Sequence, residues 1–171
     1  KACAELQKSR PNLKLLIAGT GRDRQRLETI AKQKKASVTF LGHVQDQHIP
    51  SLYGMADIFS MLCRVRWGGL EQEGFGIVFL EAAAAGIPQI AGKSGGAEEA
   101  VLHEETGKVI QNPKDSKSVA EAISELLDNK TKFAELKEVS RSRAETEFSY
   151  DYLSKKFHRS MLEAKNRSKE K

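Results

Sequence analysis

Two glutamates stand on either side of a short glycine-rich segment, with Glu73 before Gly74-Phe75-Gly76 and Glu81 after it. The two glycines lie where a helix is predicted to begin, and their missing Cβ atoms let a ligand approach the backbone closely. The first amides of a helix have no partner within the helix, and the helix dipole favours negative charge there. This pattern predicts an anion site, suited to phosphate, at the start of the helix.

The two carboxylates suit a different part of a ligand. An ionised carboxylate is a poor phosphate ligand, but it accepts hydrogen bonds on both oxygens and so binds sugar and ribose hydroxyls well. Phosphate next to several hydroxyl groups indicates a nucleotide sugar. The spacing alone leaves an alternative open, namely that Glu73 and Glu81 only complement the dipole of their helix.

The surrounding sequence predicts strands that alternate with helices. Short apolar runs typical of strands, the first of them a predicted buried strand, occur at 13–18, 38–41, 57–62, 89–91 and 107–110. Amphipathic segments between these runs predict helices, so the chain is expected to form an α/β fold with a parallel sheet. Ligands of such sheets bind at the carboxyl ends of the strands. Four loops are therefore expected to converge on one crevice: 19–22, 42–48, 63–76 and 92–96.

The composition excludes several classes of protein. The chain has 171 residues, of which 39% are hydrophobic and 30% charged, as in ordinary globular domains. No apolar run reaches the about 18 residues of a membrane span, and no signal peptide follows Lys1, which is expected to lie inside a longer gene product. Two cysteines are too few for a disulfide scaffold, so a reducing, cytoplasmic setting is expected. Cys63 is expected to be buried beside the site and not to act as a nucleophile.

Charge is distributed unevenly along the chain. Residues 1–35 carry ten Lys and Arg against three Asp and Glu, residues 141–171 carry nine against five, and residues 36–140 are net negative. Basic ends suit nucleic acid or an anionic membrane surface, and they also occur as solvated helix faces. No aromatic residues interleave with the basic runs, which disfavours binding of single-stranded nucleic acid. No nucleic-acid partner is therefore expected.

Glu73 and Glu81, with seven residues between them, resemble the E-x7-E motif of retaining GT-B glycosyltransferases of family 4. Further short motifs, from residues 15–21 through 40–44 to 106–107, resemble the carboxyl-terminal donor-binding domain of that family. The segment 66–78 most resembles the GDP-mannose-dependent phosphatidylinositol monomannoside mannosyltransferases. The resemblance covers roughly residues 1–165 and implies a Rossmann-like parallel sheet.

The resemblance implies a role for each matching position. Glu73, the implied catalytic residue, would bind hydroxyls of the donor hexose, and Glu81 would bind the ribose hydroxyls. Val44 would meet the base through its backbone, and Asp46 would accept a hydrogen bond from a guanine edge. The other implied donor-binding residues line the crevice or present backbone to the sugar and diphosphate: Gly19, Gly21, Gly74, Phe75, Gly76, Ile77 and Val78. No metal or other cofactor is expected, because basic side chains and helix amides neutralise the diphosphate in such enzymes.

The resemblance also implies parts that lie before the matching residues. In the family, the first strand of this domain, its diphosphate-binding Arg and Lys, and the acceptor-binding domain all come earlier in the chain. We therefore expect a donor-binding domain over 1–148 that lacks its first strand, followed by a carboxyl-terminal helix and basic tail over 149–171. By itself the chain is expected to be inactive and to fill or pair its exposed strand edges, for example as a dimer.

These observations predict the donor-binding part of an enzyme that transfers a hexose from a sugar nucleotide with retention of configuration. The resemblance favours mannose from GDP-mannose, and a membrane glycolipid or glycan as acceptor at the inner face of the membrane, as in phosphatidylinositol mannoside biosynthesis. The alternative is a module that binds a sugar nucleotide or a protein without turnover. A nicotinamide-dependent enzyme is disfavoured, because Arg24 stands where the dinucleotide fingerprint requires its third glycine.

Overall fold

The computed structural model of the chain describes residues 1–167, so the last four residues of the predicted basic tail lie outside the described residues. Strands and helices alternate, as the sequence predicts. The strands are β1 (Leu15–Ala18), β2 (Val38–Gly42), β3 (Phe59–Met61), β4 (Gln89–Gly92) and β5 (Gly107–Ile110). The helices are α1 (Ala2–Ser9), α2 (Arg24–Gln33), α3 (Ile49–Gly54), α4 (Ile77–Ala84), α5 (Ala97–Ala100), α6 (Ser116–Asp128), α7 (Lys130–Glu147) and α8 (Tyr150–Arg167), with 3-10 turns at Asp46–His48 and Trp67–Gly69.

The strands pair in parallel but form two sheets. One sheet contains β1 and β2, and the other has the order β3-β4-β5. Within residues 1–167, β1 and β3 do not pair with each other, and each has one edge without a partner strand. The predicted α/β fold with parallel strands is confirmed. The expectation that the sheet lacks its first strand stays a prediction.

The two sheets are buried to very different degrees. Every residue of β4 and of β5 is buried. In β1, by contrast, no residue is buried, and Leu15 and Leu16 are 36% and 37% exposed. The prediction that the first apolar run forms a buried strand is therefore wrong. No residue of β1 belongs to either cluster of buried apolar side chains, so its own apolar side chains remain partly in contact with water.

The apolar core lies on both faces of the β3-β4-β5 sheet. Successive residues of a strand point to opposite faces, so Ile90 and Ala91 of β4 enter different clusters. Ala91 packs with Phe79 of α4, which is fully buried, while Ile90 packs with Leu126 of α6. Since Phe79 belongs to this core, α4 has a fixed position relative to the ends of β3 and β4.

The last helix, α8, makes few contacts with the rest of the chain. It begins after Phe148 and Ser149, and Tyr150, Phe157 and Met161 on its surface are 86%, 68% and 57% exposed. The predicted domain division between residues 148 and 149 coincides with this break and stays a prediction. In the part of the chain that the structure describes, no helix is both long and apolar enough to cross a membrane.

Candidate functional site

The two glycines at the start of α4 have different surroundings. Gly76 is the N-cap residue in the left-handed region, with φ 82°, and a Cβ on it would lie 2.6 Å from Cδ2 of Phe79. Gly74 has open space where its Cβ would be. The Phe75 ring packs against Phe148, with ring centroids 5.7 Å apart, so it turns towards α7. Gly74 and Ile77 are exposed whereas Gly76 is buried, so a ligand that approaches the helix start can reach the backbone at Gly74.

The loop after β4 fixes the segment around Glu73. The Glu73 amide donates to Oγ of Ser94 at 3.1 Å, and the Gly96 amide donates to the Glu73 carbonyl at 3.0 Å. A Cβ on Gly95 or Gly96 would collide with the backbone of Glu73 or Gly74. Close approach of the two loops thus requires glycine at both positions.

Glu81 and Asp46 line the same cavity, although 35 positions separate them in the sequence. The cavity has a volume of about 660 Å³, within the range of small-molecule sites. The Tyr53 hydroxyl donates to Oε2 of Glu81 at 3.0 Å. The complete lining is Asp46, Ile49, Pro50, Tyr53, Gly54, Glu81, Ala84 and Ala85.

Glu73 lies in a second, smaller cavity of about 220 Å³. The Cys63 thiol donates to Oε2 of Glu73 at 3.4 Å, and Arg66 forms an ion pair with Glu71 at 3.1 Å. Arg64 and Arg66 bring positive charge to this cavity. The complete lining is Leu62, Cys63, Arg64, Arg66, Glu71, Gln72 and Glu73.

A short hairpin projects beside the smaller cavity. Arg66 and Glu71 exchange backbone hydrogen bonds of 2.8 and 3.3 Å and so close the hairpin. At its tip, Trp67 has a φ of 48°, which is unfavourable for a bulky side chain. Trp67 and Leu70 are 72% and 89% exposed. The backbone pairing of Arg66 with Glu71 therefore keeps two large apolar side chains in water next to the cavity that contains Glu73.

The two side chains that donate to the carboxylates keep their protons at neutral pH. Burial, together with the hydrogen bond and negative charge of Glu81, raises the pKa of Tyr53 well above its usual value. Burial, together with the hydrogen bond and charge of Glu73, raises the pKa of Cys63 to about 11. A thiol in this state is a hydrogen-bond donor and not a nucleophile, as expected for Cys63.

The loops after β1 and β3 come close enough to interact electrostatically. The pKa of Asp23, in the loop after β1, is lowered chiefly by its hydrogen bond with Arg26, and the charge of Arg66 contributes. The Gly19 amide donates to the carbonyl of Gly42 at 2.7 Å, which joins the loops after β1 and β2. The hydrogen bonds between Glu73 and the loop after β4 join the other two loops, so each of the four predicted loops is linked directly to another.

Not every predicted residue lies in a cavity. Val44 is half-buried just before Asp46 but does not line the larger cavity. Gly19, Gly21 and all five residues of 74–78 line neither of the two. In the described range, no cluster of His, Cys, Asp and Glu is arranged to hold a metal ion, and the expectation that no metal is needed stays a prediction. The sequence analysis missed Tyr53 and Ser94, because nothing in the spacing connects them to Glu81 or Glu73.

Comparison with known proteins identifies relatives over most of the chain. The family model described as "Glycosyl transferases group 1" matches residues 1–143. The chain is 40% identical over 153 residues to the GDP-mannose-dependent monoacylated alpha-(1-6)-phosphatidylinositol monomannoside mannosyltransferase of Corynebacterium glutamicum, covering 90% of this chain and 40% of that protein. It is 39% identical over 144 residues to the GDP-mannose-dependent alpha-(1-6)-phosphatidylinositol monomannoside mannosyltransferase of Mycobacterium tuberculosis H37Rv, covering 83% and 37%. The chain thus spans about 40% of the length of these curated relatives.

Solved structures share the fold. The C-terminal domain of a glycosyl transferase group 1 family protein from Francisella tularensis has a TM-score of 0.74 at 25% identity, covering 87% of this chain and 76% of that chain. Anabaena HepE in complex with UDP has a TM-score of 0.80 at 22% identity, covering 95% and 44%. The resemblance found in the sequence is confirmed by the family match, and the fold agrees with it. The chain therefore belongs to the group 1 glycosyltransferases, with the fold of a GT-B carboxyl-terminal domain.

Proposed function

We propose that the protein containing this chain is a retaining mannosyltransferase, and that the chain provides the binding site for its GDP-mannose donor. The observation that carries the proposal is the placement of Asp46 and Glu81 in one cavity and of Glu73 in a neighbouring one. The segment from Glu73 to Glu81 contains the start of α4, where Gly74 is exposed. One ligand with a base, a ribose, a diphosphate and a hexose would match these features in order.

Each part of the donor has a chemically suitable partner. Asp46 would accept from the edge of the guanine, and Glu81 would accept from the ribose hydroxyls. The amides at the start of α4 would bind the diphosphate, because they lack partners within the helix. Glu73 would bind hydroxyls of the mannose. Arg64 and Arg66 would add positive charge near the sugar and its leaving group.

Transfer would break the bond between the anomeric carbon and the diphosphate and form a bond from the same carbon to the oxygen of an acceptor hydroxyl. The proton of that hydroxyl would pass to the leaving diphosphate. The anomeric configuration would be unchanged. Negative charge would grow on the leaving diphosphate, where helix amides and arginines stabilise it more strongly than water would. Most of the rate would come from this stabilisation and from the fixed position of the donor.

The acceptor is proposed from the relatives. Two similar proteins are mannosyltransferases that act on phosphatidylinositol monomannosides, so we propose a membrane glycolipid as acceptor, with the enzyme at the cytoplasmic face of the membrane. Acceptor binding would require residues outside this chain. By itself, the 171-residue chain is expected to have no transferase activity.

The proposal is tested in the natural full-length protein with radiolabelled GDP-mannose and UDP-glucose. Glu81→Ala is expected to weaken GDP binding by roughly tenfold or more, because a hydrogen bond to a charged group contributes about 1.5–3 kcal/mol. Glu73→Ala is expected mainly to lower turnover, since its partner is the reacting sugar.

Glu138→Ala, which removes an exposed carboxylate on α7, is the matched control and should behave as wild type. Wild-type kinetics in both the Glu73 and the Glu81 variant would show that the donor site is assigned to the wrong residues. Tight binding of GDP-mannose by the wild type without any turnover would favour a binding module instead.

A further inference from the structure

Each candidate carboxylate receives a hydrogen bond from one uncharged side chain, and both donors flank the same strand. Tyr53 lies in α3, shortly before β3, and Cys63 lies just after β3 ends at Met61. Tyr53 donates to Glu81, and Cys63 donates to Glu73. Because β3 pairs with the buried strand β4, the backbone between these two hydrogen-bonding side chains is held in the sheet.

We propose that Tyr53 and Cys63 are positioning residues, which orient Glu81 and Glu73 for the two ends of the sugar nucleotide. The inference rests on the proposed function, since it takes these two glutamates as the donor-binding carboxylates. Neither residue would touch the reacting atoms. Each would occupy Oε2 of its glutamate and leave Oε1 and the remaining lone pairs for ligand hydroxyls.

The position of the Tyr53 hydroxyl is determined by a chain of aromatic contacts. The Tyr53 ring meets Phe59 edge-to-face, with centroids 5.6 Å apart, and Phe59 meets Phe79 in the same way at 5.6 Å. Phe79 is fully buried. The hydroxyl also lies 3.3 Å from the carbonyl of Val78, one turn before Glu81 on α4. The ring is therefore part of the packing, whereas the hydroxyl is directed at the exposed carboxylate.

The backbone at Cys63 packs tightly against the end of β4. It approaches Gly92 so closely that a Cβ on Gly92 would collide with the Cys63 carbonyl. The Cys63 side chain packs with Phe75 against the cluster around Phe79. Small changes at residue 63 therefore leave the backbone in place, and the thiol can be replaced without changing how Glu73 is held by Ser94.

The physical benefit is preorganisation. A glutamate side chain at the surface samples several rotamers, and fixing it when a ligand binds costs conformational entropy. A hydrogen-bond donor that already holds the glutamate in one rotamer removes part of that entropic cost before the ligand arrives. Glu81 is exposed, so its hydrogen bond with Tyr53 adds little to the stability of the fold. The main effect of removing the hydroxyl should therefore appear in ligand binding.

The test for Tyr53 uses the natural full-length protein and GDP-mannose. Tyr53→Phe keeps the ring and its contact with Phe59. It is expected to raise the KM for GDP-mannose and the Kd for GDP about fivefold to tenfold, while kcat and the melting temperature stay close to wild type. Tyr152→Phe removes a hydroxyl from α8 and serves as the control. In a Glu81→Ala background, Tyr53→Phe should have no further effect.

The test for Cys63 separates positioning from packing. Cys63→Ala is expected to lower kcat about fivefold with little change in the Kd for GDP, because Glu73 faces the sugar. Cys63→Ser restores a donor at the same place and should recover most of the lost kcat. Cys3→Ala, at the buried cysteine of α1, should change stability without changing either kinetic constant.

The outcomes distinguish this inference from the proposed function. If Glu81→Ala and Glu73→Ala lose activity while Tyr53→Phe and Cys63→Ala match wild type, the positioning roles are wrong and the donor site stands. If the glutamate variants themselves match wild type, the donor site is wrong. Full additivity of Tyr53→Phe with Glu81→Ala, or failure of Cys63→Ser to recover kcat, would also overturn the positioning role concerned.

Discussion

At the scale of single residues, two glycines near the candidate site have opposite surroundings. Gly74 has no atom within 4 Å of where a Cβ would be, whereas a Cβ on Gly96 would collide with the Gly74 carbonyl. Neither residue needs a positive φ. Gly96 is thus required by the protein itself, while the space at Gly74 is available to a ligand.

This difference predicts two separable effects. Gly74→Ala should change the free energy of unfolding by less than about 0.5 kcal/mol, yet reduce donor affinity about tenfold or more, because the new methyl group occupies ligand space. Gly96→Ala should destabilise the fold by about 1–3 kcal/mol through overpacking. Urea unfolding and GDP titration of the full-length variants measure both quantities. Unchanged affinity in Gly74→Ala would mean that the donor does not approach this backbone.

At the scale of elements, a buried lysine joins β5 to its neighbours. The Lys108 side chain is only 7% exposed, and its Nζ lies 2.8 Å from Glu104 before β5 and 2.8 Å from Glu125 on α6. Burial lowers the pKa of Lys108, but the hydrogen bonds and charges of both glutamates outweigh burial, so the pKa is raised. The hydrogen bond from Lys108 is the main cause of the lowered pKa of Glu104.

These shifts define a pH window for the link. The contribution of Glu104, whose pKa is lowered from 4.5, is present above that value and is lost as pH falls through the lowered pKa. The contribution of Lys108, whose pKa is raised from 10.5, is present below that value and is lost as pH rises through the raised pKa. The ion pair between Lys108 and Glu104 therefore makes its full contribution to stability between about pH 5 and pH 10.

Lys108→Met should lower the free energy of unfolding by about 1 kcal/mol at pH 7, a modest loss because both carboxylates are partly exposed. The deficit should be smaller at pH 3, where the wild type has begun to lose the contribution of Glu104. Lys117→Met, at an exposed pair with Glu121, is the control and should have almost no effect. Urea unfolding at both pH values measures the deficit, and an equal deficit at pH 3 and pH 7 would contradict the assignment.

Sequence patterns predicted the elements better than the contacts between them. The apolar run at 107–110 gave the bounds of β5, and the runs at 38–41 and 89–91 gave those of β2 and β4 to within one residue, because such patterns are local. Glu73 and Glu81 were found through their spacing around a helix start. Tyr53 was not found, because its contact with Glu81 joins residues 28 positions apart and depends on how α3 packs beside α4. The exposure of β1 depends likewise on which elements pack against its faces, and no local pattern describes that packing.

At the scale of the whole molecule, the chain consists of a well-buried half and an exposed half. The β3-β4-β5 sheet has helices packed on both faces, whereas β1 and β2 contain three leucines that are 36–39% exposed. In the described residues, β1 and β3 each have one edge whose backbone groups lack a strand partner. Such edges favour pairing with another chain.

The 171-residue chain by itself is therefore expected to associate as its concentration rises, and light scattering at several concentrations measures this. Leu16→Lys places a charge on β1 and should reduce association. Phe157→Ser, on the exposed face of α8, tests the other apolar surface. Loss of association in the Phe157 variant alone would identify α8 as the contact, and a monomer at every concentration would contradict the expectation altogether.

The hairpin closed by Arg66 and Glu71 has a practical consequence. Trp67 at its tip is the one tryptophan in this chain, so selectively excited indole fluorescence of the chain originates at a single, largely water-exposed place. That place adjoins the cavity of Glu73, whereas the aromatic side chain in the larger cavity is Tyr53. An unlabelled titration can thus report on the sugar end of the crevice separately from the nucleotide end.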